Sequence, residues 1–74
     1  MLFGDITEEE MKSLTPESGF NLVGIDFFES VGSRLYLIEH FERYQDALSA
    51  KKGRKNSDNY LILYKGPGNE FLFR

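Results

Sequence analysis

Seventy-four residues with nine Lys and Arg, twelve Asp and Glu and one His give a formal charge of −3, and there is no cysteine. A chain this short makes one small domain whose apolar burial roughly offsets its ordering entropy. Without thiols it has neither a disulfide nor a thiolate metal site as a staple, which leaves seven Phe and four Tyr to build the core.

No apolar run approaches the ~20 residues of a membrane helix, no basic-then-apolar leader opens the chain, and nothing marks an oxidising compartment. The expectation is a soluble cytoplasmic protein. Charge is polarised along the chain: residues 1–33 carry seven acids against Lys12 alone, and residues 34–74 carry eight bases against five acids. Such a pattern suits a dipolar surface or two segments that compensate each other once folded.

Helix chemistry comes first. Thr7 is a good N-cap, Glu10 three residues on completes a capping box, and Ile6 and Met11 sit at the staple positions. Glu8, Glu9 and Glu10 oppose the positive end of the helix dipole. Thr15-Pro16 stops this helix or starts another turn, with Gly19 as the stop after it.

From Phe20 to Phe28 the period becomes that of a strand, with Val23, Ile25 and Phe27 on one face and Leu22 and Phe28 on the other. Both faces are therefore at least partly covered. Ser30–Ser33 reads as a hairpin loop with Gly32 at positive φ, and Leu35–Phe41 as the return strand. Phe41, Tyr44, Ala47 and Leu48 then fall on one helical stripe, so a helix spans residues 42–52 with Lys51 and Lys52 in its last turn and Gly53 as its stop. Asn56–Asn59 is turn chemistry, Tyr60–Tyr64 the most strand-like stretch, Gly66–Asn69 another turn and Phe71–Phe73 a final strand.

The order α-β-β-α-β-β predicts a single α+β domain over residues 1–74, an approximately four-stranded, mostly antiparallel sheet with helices packed on one face. If the second helix joins parallel strands, its crossover should be right-handed. Which strands are central is not fixed by periodicity.

Chemistry is sparse. The single histidine, His40, has Glu39 on the opposite face of its strand, so that carboxylate does not orient the ring, and a structural histidine is expected. The acidic run Asp5, Glu8, Glu9 and Glu10 lacks calcium-loop spacing, and Gly66-Pro67-Gly68 precedes a strand where a phosphate loop needs a helix. No enzyme activity, cofactor, metal or membrane partner is expected.

Two partner classes remain. The chain reads first as a small protein-interaction or regulatory module that self-associates as a homodimer, or binds another protein, through Phe71 and Phe73 on an edge strand. Set against this, both rings serve equally well to complete a small core. The alternative is a single-stranded RNA or DNA binder in which Lys51, Lys52, Arg54 and Lys55 neutralise phosphates and Tyr60 and Tyr64, with Tyr36, stack on bases. Against it, the same cations cap a helix, and a sequence pI near 5.0 disfavours avid phosphate binding.

Overall fold

The computed structural model describes residues 6–55 and 59–74. Its elements are α1 (Glu8–Ser13), β1 (Phe20–Ile25), β2 (Leu35–Phe41), α2 (Tyr44–Lys52), β3 (Tyr60–Lys65) and β4 (Phe71–Phe73). The strands form one four-stranded sheet in the order β2-β1-β3-β4, and all three ladders are antiparallel. The element order is the expected one. β1 and β3, the first strand of each hairpin, are central; β2 and β3 consequently run parallel, and α2 carries the chain from one to the other across β1.

Adjacent residues on a strand point to opposite faces, and the two cores divide accordingly. On one side Met11 of α1 joins Ile6, Val23, Ile25, Leu61 and Leu63. On the other Ala47 of α2 joins Leu22 and Ile62, with Phe20, Phe41, Tyr44 and Leu48 around them. The expectation of helices on a single face is thus corrected: α1 and α2 cover opposite faces. The reason lies in the central strands, where Leu22 next to Val23 and Ile62 next to Leu63 bring apolar side chains to both faces, and leaving either face wet would forfeit their burial.

Local chemistry sets the element ends. Thr7 caps α1, its Oγ1 accepting the Glu10 N–H at 3.2 Å. The second half of the expected capping box is absent, because Glu10 Oε1 accepts from the backbone N–H groups of Arg34 and Leu35 at 2.6 and 2.9 Å. α1 stops at Ser13 with no further helical turn, and Gly19 enters β1 at φ 78°.

β1 ends three residues earlier than its alternation implies. Asp26 Oδ1 accepts the Phe28 N–H at 3.0 Å and the Asp26 carbonyl accepts the Glu29 N–H, so a side chain competes with the ladder and turns the chain. Phe27 still packs on the α1-side core, whereas Phe28, expected on a strand face, is fully exposed. Gly32 has φ 98° as anticipated. In β2, Leu22 faces Glu39 and Val23 faces Leu37, which makes Ile38 the extra residue of a β-bulge.

α2 starts at Tyr44, two residues late, since Phe41 is still paired with Phe20 and the N-cap Arg43 is extended. Tyr44, Ala47 and Leu48 form the expected stripe toward the sheet, with Ala47 buried and the other two half-buried. Of the Asn56–Asn59 turn, residues 56–58 lie outside the described residues. Asn69, with φ 66°, takes the left-handed position of the last turn.

Candidate functional site

Gly24 is paired with Tyr36 on β2 and with Tyr60 on β3, so these three residues form one row across the sheet on its α2 side. Any side chain at Gly24 would overlap the Tyr36 ring, which lies across the bare backbone between the two neighbouring strands. Arg54 closes the row: its guanidinium stands 5.2 Å from the centroid of the Tyr60 ring, within cation–π range. The turn that ends α2 carries Arg54 there, with the Arg54 N–H donating to the Lys51 carbonyl at 3.2 Å.

The basic segment that stood out in the sequence is mostly in solvent. Lys52, Arg54 and Lys55 are exposed and Lys51 is half-buried. The two tyrosines expected to stack on bases do not form one platform. Tyr60 meets Arg54, whereas Tyr64 lies beyond Ile62 on the same face, 5.3 Å from the Phe20 ring centroid, with its hydroxyl accepting from Arg74 Nε at 3.3 Å. That contact and the nearby Tyr44 ring raise the Arg74 pKa further above its ordinary value.

Beside Tyr36 opens a cleft of about 300 Å³ bordered by Asp26, Phe28 and Asn59. Tyr36 is 49% exposed, and Phe28 is fully exposed on a backbone fixed by the Asp26 turn. Strand alternation, continued through Phe28, hides this ring from a reading of the sequence. An aspartate two residues before an aromatic was the available signal for a turn.

The proposed association residues separate as well. Phe71 packs against the α1-side core, with Lys12 Nζ 5.8 Å from its ring centroid, and Phe73 is 39% exposed. β4 is indeed an outer strand, only three residues long. The other outer strand, β2, has seven residues and bears the half-exposed Tyr36 and Leu37.

His40 is tied to Asn21 and not to Glu39. Asn21 Nδ2 donates to the Leu14 carbonyl at 2.8 Å, which leaves Oδ1 as the acceptor for His40 Nδ1–H at 2.7 Å. Nε2 faces Glu42 at 3.4 Å. This arrangement anchors the end of α1 to β1 and β2, and offers no nucleophile for the ring to activate. Among the described residues, no three acidic or histidine side chains converge as a metal site, and no helix is long and apolar enough to cross a membrane.

Glu17 and Lys65 form an ion pair on the α1 side, and the Lys65 ammonium, by hydrogen bond and then by charge, holds the Glu17 carboxyl below its ordinary value. Comparison with family models, with curated proteins and with solved structures finds no match for this chain.

Proposed function

We propose that this protein is a small, non-enzymatic interaction module of the cytoplasm that self-associates through the outer edge of β2. One observation carries the reading: β2 is an outermost strand of seven residues that presents Leu37 at 51% exposure beside an edge that no other described strand pairs with. Natural edges of this length are usually guarded by charge or by a bulge, and this strand supplies Glu39, His40 and the single bulge at Ile38. A short, cysteine-free domain with a modest core also gains stability by burying such an edge against a second copy.

Pairing has a defined reach. The N–H of Leu35 is already taken by Glu10, and the Ile38 bulge interrupts the middle of the strand. A second chain therefore adds past Leu35, with its register offset at the Ile38 bulge next to Leu37.

Sedimentation across a micromolar concentration series tests this. A dimer that Leu37→Lys converts to monomer, while Phe73→Lys leaves it intact, is the expected result. A monomer at high micromolar concentration ends the self-association reading. The second reading, a single-stranded nucleic-acid binder, has the Arg54–Tyr60 contact in its favour.

A further inference from the structure

The geometry points to a nucleobase-binding cleft at the end of the sheet, formed by Phe28, Tyr36 and Asp26, with Arg54 over Tyr60 at the other end of the same sheet row, whose ligand is single-stranded nucleic acid. It goes beyond self-association, because it uses the α2-side face of the sheet and the β1–β2 turn, and not the backbone edge of β2.

Four observations meet there. Two aromatic rings, one half and one fully exposed, border a single cleft of about 300 Å³, large enough for one base. One ring is held from below, since Tyr36 rests on Gly24; the Phe28 ring stands free in solvent on a backbone fixed by the Asp26 carboxylate. A supported ring such as Tyr36 costs little entropy to stack on, and every base offers a π-face.

The polar groups of the cleft suit the edge of a base. Asp26 uses one carboxylate oxygen to accept from Phe28, and a carboxylate has further acceptor capacity for the amino groups of cytosine, adenine or guanine. Asn59 borders the same space and supplies an amide that both donates and accepts.

The charge needed for the backbone is on one side. Arg54 stands over Tyr60, which is next to Gly24 in the row that ends at Tyr36, and Lys55 follows it in an exposed position. Cations beyond one end of an aromatic row are arranged to meet the phosphates that flank a stacked base. The acidic character of the whole chain sets the affinity scale low, and with two cations to meet phosphates the log–log salt slope should be shallow, about −1.4, but the local complementarity stays in place.

The test is fluorescence anisotropy of the full chain with a labelled mixed-sequence single strand, its duplex and free mononucleotides, at several salt concentrations. The strand should bind in preference to duplex and mononucleotide. Phe28→Ala and Tyr36→Ala should each weaken it roughly 5- to 150-fold with the salt slope unchanged, and Arg54→Gln should flatten the slope by about 0.7.

Phe28 has no packing to lose, so that variant remains folded and its circular dichroism should match the parent. Absence of binding at low salt overturns the proposal, as does binding indifferent to both aromatic substitutions. Equal affinity for mononucleotides overturns the assignment to a strand. Sedimentation of the same samples reads self-association independently, so that a failure of one proposal is distinguishable from a failure of the other.

Discussion

The carboxylate of Glu10 on α1 and the backbone N–H of Leu35 at the start of β2, 25 residues apart, are joined by a hydrogen bond of 2.9 Å. The same oxygen takes the Arg34 N–H, while the other, Oε2, is buried with no partner among the described residues. Glu10 is thus a tertiary clasp between the first helix and an outer strand. Removing the acceptor leaves two N–H groups without it, so Glu10→Ala should cost about 1–3 kcal/mol in denaturant unfolding, and Glu10→Gln, which keeps an acceptor, less.

A capping box would couple the side chains of Thr7 and Glu10, and the clasp does not. Thr7→Ala should cost about 1 kcal/mol through the cap alone. A double-mutant cycle between Thr7→Ala and Glu10→Ala should then be additive within about 0.5 kcal/mol. Coupling well above that value would restore the capping box.

Core substitutions should rank by burial. Leu22 and Ile62 are completely enclosed, while Leu48 on α2 is half-buried. Leu22→Ala is expected to cost about 2–5 kcal/mol, and Leu48→Ala clearly less, as read from denaturation midpoints at constant m-value.

Glu17 provides the pH-dependent test. Its carboxyl pKa is lowered by Lys65, so the pair contributes stability above the unfolded carboxylate value, and the contribution is lost as pH falls through the lower folded value. Solvent exposure keeps the effect small. NMR titration should show Glu17 protonating below its ordinary range and returning to it in Lys65→Met.

Gly24→Ala separates the aromatic row from the fold. The new methyl group meets the end of an exposed side chain, which swings aside, so stability should change by under about 1 kcal/mol. Tyr36 should lose the ring-current shifts it imposes on its neighbours in β1. Strand binding should weaken along with them.

Much of the architecture was legible because its signals are local. The Thr7 cap, the Gly32 loop, the Tyr44–Ala47–Leu48 stripe and the alternation of β1 and β3 all depend on nearest neighbours in sequence. What escaped depends on distant partners. The Glu10 contact with Leu35, the central pairing of Leu22 with Ile62 and the division of the helices between two faces are decided by which strands meet, and no periodicity carries that information. The site divides the same way. Arg54 and Tyr60 stand out by residue type, whereas the exposure of Phe28 follows from a turn that interrupts an apparently continuous strand.

Because β1 and β3 are the innermost strands, Asn21 lies opposite Leu63 and Gly24 opposite Tyr60, and the long intervening segment must be closed before either hydrophobic face is sealed. That closure cost falls ahead of most of the gain, so the rate-limiting event in folding should be the meeting of the two hairpins and not the formation of either one. In native-state hydrogen exchange, the amides shared by these two strands should be the last to open, at the free energy of global unfolding, while β4 and α1 open through smaller excursions.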